Sequence, residues 1–387
     1  MPPISSRRAA VAPFMAMDVL REARRLEHEG RRIVHMELGE PGAPTPRRIL
    51  DAAQRALAAG APGYGEAAGD PALRARIALH YREHYGVEVS PARVMVTTGS
   101  SGAFLLAFLS AFDAGARIGV TAPGYPAYLN ILQALGLVAA PIEIGEETRF
   151  APTAALIEAA HRKERLDGLL LMSPANPTGA MIAGSELARI AAFCEEAGVT
   201  LVADEIYHGL EYEERAPTAL RFSPDAIVVN SFSKYYAMTG WRLGWIVAPE
   251  CLARPIERLQ QSLAICAPTL AQRVALEALE AREALEAIKA GYAKSRARLV
   301  ERLPQIGLPR FAPPDGAFYI YADVAHLTQD SVAFCTRMLE EAGVAATPGV
   351  DFDRARGRKT LRLSYAGGEA EVAHGLDRLA DWLKKGP

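Results

Sequence analysis

The sequence predicts an α/β protein: a large domain whose mainly parallel sheet is sandwiched by helices, and a smaller α+β domain. Three observations lead there. Between about residues 90 and 250, apolar runs rich in β-branched residues alternate with polar loops and helical segments. Strands joined through helices lie parallel and are covered on both faces. At 387 residues the chain exceeds what one small core organises. Past residue 281 the alternation gives way to two strand-like runs, "GAFYIYADV" and "TLRLSYA", set among helices. The expected division is an N-terminal arm with part of the small domain over residues 1–45, the large domain over 46–280 and the small C-terminal domain over 281–387.

Taken in order, the arm leads into a charged amphipathic helix over about 15–29 and a short strand, "RIVHMEL". A Gly/Pro-rich loop, "GEPGAPTP" at 39–46, hands over to a helix near 47–59. The strands of the main sheet are then "RVMVTT", "RIGVTAP", "LDGLLLMSP", "VTLVADE", "DAIVVNS" and "LGWIVAP". A long helical stretch near 269–303, rich in Ala, Leu, Glu and Arg, links to the C-terminal unit. There is no internal repeat and no low-complexity tract.

Composition excludes several function classes. Lys and Arg total 43 against 45 Asp and Glu, a net charge of −2, so nothing global draws the chain to nucleic acid or an anionic membrane. Arg7 and Arg8 precede a short apolar stretch, but Pro13 and Asp18 interrupt it, so it is no signal peptide. The most apolar run, "AFLLAFLSAF", is about half a membrane span. Four scattered cysteines lack metal or disulfide spacing and suit a reducing compartment. The expectation is a soluble cytoplasmic protein.

In an open α/β sheet, ligands sit beyond the carboxyl ends of the strands. Those ends read "GSSGAF", "PGYPAY", "ANPTG", "DEIYHG" and "SFSK". The loop from Gly99 through Ser100 and Ser101 to Gly102 is either an anion cup at a helix start or a bare tight turn. It matches neither a P-loop nor a dinucleotide or nucleophile-elbow pattern. Asp204 ends an apolar strand, so it either caps the next turn or faces a cation or a protonated heteroatom; Tyr207 lies three residues on. Lys234 stands at a strand end beside Ser231 and Ser233, eight residues before Arg242. It is a solvated loop residue or an amine whose pKa is lowered for Schiff-base chemistry. His80 and His84, spaced i, i+4, are a metal pair lacking a third ligand or a solvated helix face. Arg362, mid-strand among apolar residues, needs an anion.

Together "SFSK…GWRLGW", "NPTG", "DEIY", "GYG…GDPALR" and "RLSYA" resemble the class I/II aminotransferases, pyridoxal-phosphate enzymes of fold type I related to aspartate aminotransferase. The likeness runs from about Val34 to the C-terminus. It implies pyridoxal 5'-phosphate as cofactor, with Lys234 holding it covalently and shuttling the proton, and Asp204 pairing with the ring nitrogen. Tyr207 and Asn176 match the groups bonded to its phenolate oxygen, and Tyr125 the aromatic ring stacked on the pyridine. Ser100, Ser101, Ser231, Ser233 and Arg242 fall at or beside the phosphate positions. Tyr64 resembles the tyrosine that reaches the phosphate from a neighbouring subunit, which implies a homodimer. Arg362 matches the arginine that grips the substrate carboxylate, and Gly39 lies in the loop lining that site.

The reaction this implies is transfer of an amino group from an L-amino acid to a 2-oxo acid by a ping-pong cycle through the cofactor's pyridoxamine form. A C–S β-lyase on the same scaffold is the alternative, and a non-catalytic regulatory module a remote one, since no helix-turn-helix pattern precedes the fold. Some bacterial aspartate-type members carry a lysine in the phosphate-cup segment; "GSSGAF" has none, which points away from a strict aspartate enzyme.

Overall fold

The computed structural model describes residues 10–60 and 63–386. The arm enters helix α1 (Met15–His28) and strand β1 (Val34–His35), followed by α2 (Arg47–Ala58) and α3 (Pro71–Tyr85). Asp70 caps α3 through the amides of Ala72 and Leu73, with Pro71 at the first helical position. The alternating region then gives β2 (Val94–Thr97), α4 (Gly99–Ala111), β3 (Arg117–Ala122), α5 (Pro126–Leu135) and β4 (Val138–Glu143). It continues with α6 (Ala154–Lys163), β5 (Gly168–Met172), α7 (Gly184–Ala197), β6 (Thr200–Asp204), β7 (Ile227–Ser231) and β8 (Gly244–Val247).

These seven strands form one sheet in the order β2-β8-β7-β6-β5-β3-β4. Its central ladders are parallel, as expected, but β8 runs antiparallel to both β7 and β2. The reason is the connection. A parallel return needs a crossover of a dozen or more residues, commonly a helix; residues 232–243 hold only a 3₁₀ turn, Thr239–Trp241. The chain therefore doubles back, and Arg242 returns to the sheet edge that Lys234 has just left.

Strand alternation divides the sheet's two faces. Val94, Val96, Leu169, Leu171, Leu201 and Val228 meet α2, α3, α6, α7 and α9 (Thr269–Leu279) on one side. Met95, Leu170, Val202 and Val229 meet α4, α5 and α8 (Glu250–Leu263) on the other. Each such side chain taken from water contributes about 1.5–3 kcal/mol. Asp204 falls in phase with Val202, so it emerges on the α4–α5 face.

The helical stretch expected near 269–303 is two helices, α9 and α10 (Arg282–Gln305). The break lets one run serve two cores: Val274 and Ala275 pack with the α2–α3 side, Leu299 and Leu303 with the C-terminal unit. That unit holds β9 (Tyr319–Asp323), α11 (Ser331–Arg337), β10 (Val344–Ala345), β11 (Thr347–Pro348), β12 (Thr360–Ser364) and α12 (Glu369–Leu383). Its antiparallel sheet has the order β11-β12-β9, while β10 pairs with β1 in parallel. Strands β4, β10 and β11 were not anticipated: β4 is rich in Ala and carries Pro141, and the other two are two residues each. Of the cysteines, Cys194 and Cys335 are buried, Cys266 is half-buried and Cys251 is exposed. No helix among the described residues is long and apolar enough to cross a membrane.

Candidate active site

A cavity of about 410 Å³ opens where the carboxyl ends of β5, β6 and β7 meet the C-terminal unit. Gly39, Ser100, Ser101, Tyr125, Asn176, Asp204, Tyr207, Ser233, Lys234, Arg242 and Arg362 all line it. Of the residues that the resemblance names, two do not. Ser231 is buried behind the wall, its Oγ donating to the Leu243 carbonyl (3.0 Å) and paired with Ser233 Oγ (2.9 Å). Tyr64 is 84% exposed and lies outside the cavity.

One end of the cavity is built to hold an anion. Helix α4 starts behind Thr98 with no side-chain cap, so its first-turn amides keep their positive end free. Gly99 sits at φ +66°, and a Cβ there would come within 2.5 Å of the Arg242 guanidinium. Gly244 admits the same helix start: its Cβ would stand 2.9 Å from Ser100 N. Two glycines thus let backbone, arginine and the Ser100–Ser101 hydroxyls crowd one spot.

Deeper, Asp204 is 3% exposed. Its Oδ1 accepts from Ile206 N at 3.0 Å, and its Oδ2 accepts from the Tyr128 hydroxyl. The capping reading is therefore true of one oxygen. Burial nevertheless pushes this carboxyl up to about 6, more than Tyr128, Ile206 and Lys234 offset. Among the described residues no cation forms an ion pair with it, so the site retains a buried anion awaiting a positive partner.

Lys234 Nζ donates to the Gly39 carbonyl at 2.6 Å. Burial lowers the amine to about 8, Arg362 and Arg242 push the same way, and Glu40 and Asp204 oppose them. The Tyr207 and Tyr319 hydroxyls share a hydrogen bond, and burial raises both phenols. Gly39 has no alternative, since a Cβ there would overlap Tyr319 Oη at 1.8 Å.

Arg362 is 2% exposed on β12. Its guanidinium lies between the rings of Tyr319 (4.5 Å) and Phe352 (4.7 Å). Nη1 donates to Asn176 Oδ1 at 2.8 Å; Nη2 donates to the Glu37 carbonyl and to Thr347 Oγ1. Its Nε is buried without any acceptor. A buried donor left unmet costs about 1–3 kcal/mol, and more when charged, so Nε has the capacity to take a carboxylate oxygen.

Sequence reasoning missed Tyr128, Tyr319 and the apolar roof formed by Phe14, Met17 and Leu20 of the α1 region with Leu38 and Ile131. Tyr128 had a signal, the i, i+3 spacing from Tyr125; Tyr319 lay in a recognised strand whose facing was unread. The histidine pair is not a solvated face. His80 and His84 are half-buried with rings 4.1 Å apart, and burial drives His80 down to about 3. No group of three metal-ligating side chains forms among the described residues.

A buried amine, a buried carboxylate without an ion-pair partner and a free helix start in one cavity suit an enzyme site of the amino-group-transfer class. Comparison with known proteins agrees. The family profile described as "Aminotransferase class I and II" matches residues 32–379. A Mycobacterium tuberculosis protein called valine–pyruvate aminotransferase is 46% identical, over 97% of each chain. An aminotransferase structure from Mycobacterium tuberculosis superposes with a TM-score of 0.96 at 45% identity, covering 99% of this chain and 100% of that one. Aspartate aminotransferase from Thermus thermophilus gives 0.93 at 34% identity, covering 98% and 100%. The chain belongs to the class I and II aminotransferases, and its fold is that of aspartate aminotransferase.

Proposed function

We propose that this aminotransferase uses pyridoxal 5'-phosphate to move the amino group of neutral, apolar L-amino acids to a 2-oxo acid, as a cytoplasmic homodimer. The observation behind this is the convergence of Lys234, Asp204, the α4 cradle and Arg362 on one cavity. The deficits there match the cofactor's parts. The α4 start with Ser100, Ser101, Ser233 and Arg242 would take the phosphate, and Asp204 the protonated ring nitrogen. Tyr207 and Asn176 would take the phenolate, and Tyr125 would lie against the ring. When bound, the cofactor supplies an electrophilic carbonyl and an electron-accepting ring.

The chain supplies the rest. With its pKa brought down to about 8, Lys234 is neutral in about a tenth of the molecules at pH 7 and about half of them at pH 8, far more than a solvated lysine, so Nζ can take the proton from substrate Cα. Arg362 grips the α-carboxylate through its unmet Nε and its Nη groups, which fixes the direction of the Cα–H bond. Asn176, bonded to Nη1, holds the guanidinium plane in place. The roof of Phe14, Met17, Leu20, Leu38 and Ile131 would face the substrate side chain, which favours apolar donors, the class to which the name of the Mycobacterium relative also points.

One observation favours dicarboxylates instead: Arg24 lines the cavity, is exposed, and pairs with no carboxylate among the described residues. Borohydride reduction and peptide mass analysis should place the cofactor on the peptide bearing Lys234. A Lys234→Ala enzyme that still transaminates would sink the assignment. The rate at which each amino acid bleaches the visible band should rank L-valine and L-leucine above L-aspartate and L-glutamate; the reverse order selects the Arg24 reading.

A further inference from the structure

Helix α1 begins behind Phe14, a residue with no side-chain acceptor. Its first-turn amides are met by a carboxylate from the far end of the chain. Met15 N donates to Asp351 Oδ1 at 3.1 Å, and Ala16 N to Asp351 Oδ2 at 3.4 Å. Asp351 is 8% exposed and lies in the turn Gly349–Asp351 directly after β11, whose Thr347 touches Arg362. The arm before the helix is held separately: Asn130 Nδ2 donates to the Ala12 carbonyl at 3.0 Å, and Gln133 Nε2 to the Ala10 carbonyl at 2.8 Å. Phe14 rests edge-on against Tyr125, with ring centroids 5.9 Å apart.

An anchored helix start decides where the helix face points. With α1 held at Asp351, Phe14, Met17 and Leu20 line the cavity that also holds Arg362. Without that carboxylate the first turn has no capping acceptor from its own sequence, and the start of α1 rests on the buried Ala16 and Leu20 and on the arm's own bonds, with Met17 exposed. We infer that Asp351 is a positioning residue for substrate recognition: it fixes the start of α1 so that the roof meets the substrate's side chain. The inference rests on the proposed reading of the cavity as a site for apolar donors. Asp351 stands outside the cavity lining; its hydrogen bonds reach the roof through α1, while its charge is also felt by Arg362, which the asparagine variant separates from loss of the cap.

The test compares Asp351→Ala, Asp351→Asn and wild-type holoenzyme on two donors. Losing the cap should raise KM for L-valine about fivefold to tenfold, with kcat and retained cofactor little changed. KM for L-alanine, whose methyl group offers the roof the least apolar surface, should stay within about twofold. The asparagine variant, which keeps one acceptor oxygen, should fall between. Hydrogen exchange over residues 15–20 should quicken in Asp351→Ala. If Asp351→Ala misfolds, the double variant Asn130→Ala with Gln133→Ala loosens the same arm and should shift KM in the same direction. Equal KM changes for both donors, or unchanged exchange over α1, would overturn the inference. If wild-type enzyme ignores apolar donors altogether, the substrate reading fails, and the exchange measurement still decides whether Asp351 holds the roof.

Discussion

Asp204 ends a buried strand with its carboxylate out of water and only a hydroxyl and an amide for company. The unfolded chain ionises near 3.8, the folded protein near 6. The folded state therefore binds the extra proton between those values, and stability falls as pH rises through that window. Each pKa unit is about 1.4 kcal/mol, so the ionised Asp204 costs the cofactor-free protein on the order of a few kcal/mol above pH 7. Asp204→Asn should accordingly gain stability relative to the unsubstituted cofactor-free enzyme as pH rises from 5 to 8, by roughly 1 kcal/mol or more across that range. Chemical denaturation at fixed protein concentration would measure this, and a constant difference across that range would refute it. That cost was legible in the sequence, because a carboxylate closing "VTLVAD" has to be explained. Tyr319 was not: alternation marks a face but does not say that the face looks onto Gly39 and onto Arg362 of the neighbouring strand.

The anion cradle belongs to no single residue; it is made by the meeting of α4 with the β7–β8 return. Serines at the helix start and the lysine at the strand end could be read from strand-end position alone. The antiparallel return could not, because a period of two encodes a face and not a direction; it goes with a link, residues 232–243, that holds a 3₁₀ turn and no crossover helix. The same return places Arg242 against Gly99, where the left-handed backbone leaves room for the guanidinium. Gly99→Ala adds about 1–2 kcal/mol of left-handed strain and pushes Arg242 away from the cradle. Cofactor affinity should fall at least about tenfold, read by titrating the cofactor-free protein and following the visible band. Catalysis at saturating cofactor should fall far less. An unchanged affinity would mean that Gly99 is merely a turn.

At the scale of the molecule, the cradle is one-sided. Ser101 and Arg242 are exposed in the single chain, although a phosphate gains most where water is excluded. Tyr64 stands almost free at 84% exposure, with Leu263 and Ile265 also uncovered at 53% and 49%. Its loop is tied to the start of α9, where Thr269 Oγ1 donates to the Gly63 carbonyl at 3.1 Å, so the ring is held out by a fixed support. An isologous pairing would carry that tyrosine to the partner's cradle and bring the partner's to this one. Mixing subunits tests this. Lys234→Ala dimers lack the amine in both sites, and Tyr64→Ala dimers lack the hydroxyl in both. In a mixed dimer, one site combines Lys234 of one chain with Tyr64 of the other and is intact. Exchange of equal amounts should leave about a quarter of all sites native, so activity should rise above that of either parent toward that fraction. If Tyr64 serves its own chain, or no site at all, mixing restores nothing, because no mixed site is then repaired.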